Sequence, residues 1–172
     1  MDIAINFVLF QLGWFACVLG AAHGRPWVGV LSVVCIAAWH LSRARLPRRE
    51  LLLLALAAAC GLLFDSALSL LGLAHFTSGV VVAGFAPLWM IALWVLFATT
   101  LNVTLRWLHG RSALAAALGC VGGALAYYSG VRLGAMSLTP LATALAVVAV
   151  GWSLLTPLLL VAARRNDGFA RP

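Results

Sequence analysis

One carboxylate stands where a carboxylate is hard to keep. Asp65 lies in the run GLLFDSALSLLG, and every neighbour within four residues is apolar or small. On a helix starting at Leu51 it sits roughly 21 Å in, at about 1.5 Å per residue. An acid at that depth in hydrocarbon is costly unless it is paired, hydrated or protonated, and such acids are often functional. The chemistry open to it is that of a proton acceptor or a group that orients a substrate. Tyr127 reaches a matching depth, about 22 Å along a helix that starts at Ser112, and offers a phenolic donor beside Tyr128. Arg132 lies one turn further out, where a guanidinium could hold a headgroup phosphate. His75 follows the end of the Asp65 helix. Asp65 and Tyr127 are therefore the candidate catalytic pair, with Arg132 and His75 as candidate substrate or lipid contacts. The alternative is a structural hydrogen bond that fixes helix packing.

A second polar layer belongs to the other end of the bundle. Thr99, Asn102 and Arg106 share a face in FATTLNVTLRW, and Asn6 falls at similar depth with Gln11 about a turn above. Bonding between Asn and Asn, or Asn and Gln, would account for this layer without chemistry. Asn6, Gln11 and Asn102 are otherwise candidate lipid contacts. His23, His40 and His109 fall at helix ends and read as solvated caps. Cys17, Cys35, Cys60 and Cys120 each sit in an apolar run without metal-ligand spacing, as buried free cysteines commonly do. No zinc-protease, nucleophile-elbow, phosphate-loop or haem motif is present, so no cofactor and no metal are expected.

The elements that must position these residues are membrane helices. Of 172 residues 65% are hydrophobic and 9% charged, against about 25% charged in a soluble domain. That balance excludes a nucleic-acid-binding domain, a disulfide-stapled secreted domain and a disordered chain. All eleven basic residues are Arg. Apolar stretches of about 20 residues predict an all-α bundle of six transmembrane helices, near residues 3–22, 27–42, 51–73, 87–107, 112–131 and 140–163. They form a single domain over 1–163, followed by a polar, frayed tail over 164–172. Residues 76–86 read as a loop or a re-entrant stretch. The early Asp2, Asn6 and Gln11, with no basic n-region, mark a retained first helix rather than a signal. Nine of the eleven Arg residues fall on one side of a six-helix alternation, which puts both termini in the cytoplasm. Trp27 and Trp89 then belong to the outer boundary and Trp39 and Trp107 to the inner one, while Trp14, Trp94 and Trp152 read as packing residues. Three helices per half would make a repeat inverted, but only HGR at 23–25 and 109–111 suggests one. Glycine-rich stripes on the first and fifth helices read as packing seams or as an acyl-chain groove.

These motifs carry a resemblance. The combination of N-F-x-x-F-Q-x-G-W-F from Asn6, L-x-x-D ending at Asp65, P-L-W-x-x-x-L-W-x-x-F-A-T-T-L-N from Pro87 and G-C-V-G-G-A-L-A-Y-Y-S-G-x-R-L-G-A from Gly119 resembles the bacterial family filed as domain of unknown function 2878. These are small polytopic inner-membrane proteins. The likeness runs from about Asn6 to Ala163, with motif positions at Asn6, Gln11, Trp14, Asp65, Pro87, Trp89, Trp94, Asn102, Tyr127 and Gly130. Val103 departs from it where a polar residue is expected, which weakens an inner-face polar site. The resemblance implies class and location rather than mechanism. Its association with cyclopropane-fatty-acid-synthase-like neighbours implies a lipid setting.

The first expectation is an accessory factor or enzyme of fatty-acyl or phospholipid modification, with membrane lipids as its partners. A structural or assembly partner of other membrane proteins, or a homo-oligomer, comes second, and a small proton-coupled transporter third. No nucleic acid is expected.

Overall fold

The computed structural model describes residues 2–170; Met1, Arg171 and Pro172 lie outside it. The order is α1 (Ile3–Ala22), α2 (Pro26–Arg43), α3 (Pro47–Leu70), β1 (Ala74–Phe76), α4 (Leu88–Leu101), α5 (Ser112–Arg132), β2 (Met136–Leu138) and α6 (Leu141–Arg165), with one 3-10 turn at Arg106–Leu108. All but α4 are long and apolar enough to cross a membrane. Local chemistry sets their ends. Asp2 caps α1, its carboxylate accepting from the Ala4 and Ile5 amides at 2.7 and 3.4 Å, which serves donors a helix start leaves unpaired. Gly24, at φ +70°, turns the chain, and Pro26 opens α2.

α4 departs from expectation. It ends at Leu101, not near Trp107, and its 14 residues span only about 21 Å. Thr99 and Thr100 bond back to the Leu96 and Phe97 carbonyls, a habit that competes with helix continuation. The His109 ring then takes up the Leu101 carbonyl at 3.0 Å. Irregular backbone at this depth is tolerated because protein surrounds it: α4 is the central helix, packed by α1, α2, α3 and α6.

α3 starts at Pro47, a turn earlier than predicted, and this draws Glu50 out of the loop into the first turn of a helix. Residues 77–87 form a loop without helix. Ser78 and Thr77 hydroxyls tie it to the Ala21 and Gly134 carbonyls at 2.7 and 2.8 Å. Trp89 is buried rather than placed in a boundary belt, donating to the Ser78 carbonyl at 3.0 Å. The tail is not frayed over its described part. α6 runs to Arg165, and Gly168 is buried.

A tandem repeat connects the second and third hairpins. After α3 the amides of Leu71, Gly72 and Leu73 bond to Ala67, Ser69 and Leu68, and after α5 those of Leu133, Gly134 and Ala135 bond to Ser129, Val131 and Gly130; α1 is capped in the same way at His23, Gly24 and Arg25, so what distinguishes the two later turns is the strand pairing that follows them. Gly72 and Gly134 both take positive φ, +70° and +84°. β1 and β2 then pair antiparallel about His75 and Ser137. Thr77 donates to the Ala135 carbonyl as Thr139 donates to that of Leu73. A local two-fold relates the segments, and α3 and α5 run in the same direction. This is a parallel repeat, unlike the inverted one the HGR tripeptides hint at.

Candidate functional site

The repeat brings Asp65 and Tyr127 together. They are separated by 62 residues, the repeat offset, and so occupy equivalent places on α3 and α5. Four residues before each stands a glycine under an indole: Gly61 beneath Trp94 and Gly123 beneath Trp152, with room for no Cβ at either. The two indoles stack at 4.5 Å with 24° between planes. Asp65 has no solvent exposure. Its Oδ2 accepts from Trp94 Nε1 at 2.7 Å and its Oδ1 from the Tyr127 hydroxyl. Two donors on a side chain that only accepts when ionised satisfy it locally. Trp152 Nε1 has no acceptor, nor has Thr156 Oγ1 a partner.

Next to this pair lies a cavity of about 690 Å³ between α1, α4 and α5, within the range of small-molecule sites, roughly 300–1,000 Å³. Phe10, Trp14 and Phe15 line it from α1, Trp94 and Phe97 from α4, and Gly119, Gly122, Gly123, Ala126 and Tyr127 from α5. Gln11 also lines it. Asp65 does not; it holds the Tyr127 and Trp94 rings that do. No charged side chain is among the lining residues.

The other predicted residues are placed differently. Arg132 and His75 are exposed and make no hydrogen bond with Asp65, whose partners are Tyr127 and Trp94. The reason for His75 is the strand alternation: Ala74 points in, His75 out. Asn6 bonds neither Asn102 nor Gln11. Its Nδ2 donates to the Thr99 carbonyl at 3.2 Å and its Oδ1 accepts from Thr104 at 2.5 Å.

Asn102 belongs to a cluster that sequence reasoning missed. Its Nδ2 donates to Glu50 Oε1 at 2.7 Å, and Glu50 Oε2 meets His40 Nε2 at 2.9 Å. Glu50 and His40 are wholly buried, so His40 is no solvated cap. The buried Val103 leaves this cluster intact, since Asn102 finds its partner on α3. The clue in the sequence was a Pro three residues before an acid, which can open a helix and carry the acid inward. At the same end His109 is held below its ordinary pKa, chiefly because burial disfavours the imidazolium. Among the described residues no group of His, Cys, Asp and Glu could hold a metal ion.

No curated protein and no solved structure matches the chain. The family described as Protein of unknown function (DUF2878) matches residues 3–158, a span that takes in α1 to α5, the cavity and both indoles. The chain is a member of that family.

Proposed function

We propose that this protein handles a membrane lipid inside the bilayer, as an enzyme or accessory factor of fatty-acyl or phospholipid modification. The cavity carries the reading. It is apolar, uncharged and lined by aromatic rings and glycines, which suits one hydrocarbon chain and no ionic solute. Tyr127 and Trp94 face that chain with Asp65 fixing both. Asp65 thus acts as a positioning residue, and the phenol is the group that meets the substrate. The inner membrane of a bacterium is the proposed location. The Arg residues at 43, 45, 48, 49, 106, 111, 164 and 165 put the α2–α3 loop and the C-terminus in the cytoplasm.

Gly122 supplies the test, because a Cβ there meets no atom within 4 Å. Gly122→Leu should fill the cavity and leave the fold alone. Native mass spectrometry of the purified protein should show a retained lipid that Gly122→Leu displaces. The lipids of a deletion strain should lose an acyl or headgroup species that wild type restores and Gly122→Leu or Asp65→Asn does not. Unchanged lipids on deletion, with no retained lipid, would overturn the proposal.

A further inference from the structure

The cytoplasmic end of the bundle is closed by the chain's own tail. Asp167 sets both carboxylate oxygens on Arg106 at 2.7 Å. The Gly168 amide donates to Glu50 Oε1 at 2.8 Å, and its carbonyl accepts from the Arg45 and Leu46 amides at 2.9 and 3.1 Å. The Phe169 ring stands edge-on to His40, 5.1 Å between centroids. Each position reads a different property. Arg106 Nη2 donates to both oxygens of one carboxylate, while its Nε is held by the Asn102 carbonyl. The Gly168 position refuses a side chain, since a Cβ would lie 2.6 Å from Glu50 Cγ and 2.7 Å from the Leu46 carbonyl. His40 meets an aromatic ring in a tilted, edge-type contact, 64° between planes.

Two features set this apart from ordinary tail packing. The segment lies beyond the family match, which ends at residue 158, while Glu50, His40, Asn102 and Arg106 lie within it. The tail also leaves the receiving surface unsatisfied: His40 Nδ1 and Asn102 Oδ1 are buried with no hydrogen-bond partner. Unpaired buried polar atoms carry a cost, and they lower the free energy of parting tail and cradle.

We propose that His40, Glu50, Asn102 and Arg106 form a peptide-binding cradle for a carboxylate–glycine–aromatic segment, occupied at rest by the chain's own Asp167-Gly168-Phe169. The occupant exchanges because its ion pair to Arg106 is partly exposed and its seat leaves His40 Nδ1 and Asn102 Oδ1 unpaired. When it leaves, it uncovers an imidazole already oriented by a carboxylate. This inference does not depend on what the membrane cavity binds.

The test uses the full-length protein in detergent and follows carbethoxylation of His40 by peptide mapping, with exposed His23 and His75 as internal controls. In the wild type His40 should stay unreactive. Gly168→Val should expel the segment and raise its reactivity on the order of tenfold or more, as loss of local protection does. The synthetic peptide Asn-Asp-Gly-Phe-Ala should protect His40 again, and the same peptide with Val in place of Gly should not. Phe169→Ala, which keeps the backbone contacts, should give partial reactivity and serves if Gly168→Val does not fold. A folded variant with unreactive His40 would overturn the proposal. So would failure of the glycine peptide to protect.

Discussion

Glu50→Ala is the sharpest probe of how the Glu50 end of the bundle is held. The side chain accepts from His40, Asn102 and the Gly168 amide at 2.9, 2.7 and 2.8 Å, and neither Glu50 nor His40 touches solvent. Side-chain hydrogen bonds in membrane proteins average about 0.6 kcal/mol, so three such bonds set a floor near 2 kcal/mol. Removing one partner of a buried pair costs about 3–5 kcal/mol, because the other is left uncompensated. The second figure should govern, since the donors keep their burial. We expect a loss of about 3 kcal/mol or more, read by steric trapping or denaturant titration in micelles. Leu51→Ala, next along the chain but exposed, is the control. Glu50→Gln should fall between, keeping one acceptor. A loss for Glu50→Ala no larger than that of Leu51→Ala would refute the reasoning.

Other outcomes follow from the same contacts. Tyr127→Phe leaves Asp65 with Trp94 alone and should cost about 1–3 kcal/mol; a cycle with Trp94→Phe, read by the same titration, should be non-additive because both serve one carboxylate. Gly61→Ala and Gly123→Ala push a methyl into Trp94 and Trp152 and should each cost about 1–3 kcal/mol, while Gly122→Ala should be neutral in thermal stability. The Arg106–Asp167 pair, with Arg106 43% exposed, should contribute at most about 1 kcal/mol and weaken with salt in an Arg106→Gln comparison. The depressed His109 pKa favours the neutral ring in the folded state. Its stability contribution is complete above the unfolded pKa of about 6.5 and is lost as pH falls through the folded value. His109→Gln should flatten that part of a pH–stability profile.

Class and helix number were legible because they depend on composition and run length, which no packing detail changes. The depth argument also served Asp65 and Tyr127, since depth along two parallel helices follows from counting residues. What it could not supply is rotation. Trp94 is as apolar in pattern as its neighbours, and only the close approach of α3 and α4 at Gly61 turns its N–H toward the acid. His75 sits past the turn at Gly72, where the strand alternation faces it outward, and Arg132, the last residue of α5, is exposed. Glu50 was hidden for another reason: four Arg residues around it made the segment read as a solvated loop, and of its partners only His40 is near in sequence, while Asn102 and Gly168 come from distant parts of the chain. A polar cluster assembled from such separations has no local signature.

The repeat has a consequence for how the polar pair came to be asymmetric. A hairpin that pairs its strand with an identical copy about a two-fold is a self-associating unit, and duplication within one gene would fix both copies in a single chain with the same orientation. In such a symmetric ancestor, one residue type would face itself across the axis at the places now held by Asp65 and Tyr127. Two carboxylates there could not both ionise in so dry a setting, and two phenols would lack a common strong acceptor. Divergence of one copy to an acid and the other to a phenol resolves the conflict. Fusion thus permits what a homodimer forbids: a single acid beside the axis, carried by one half and bonded by residues of both.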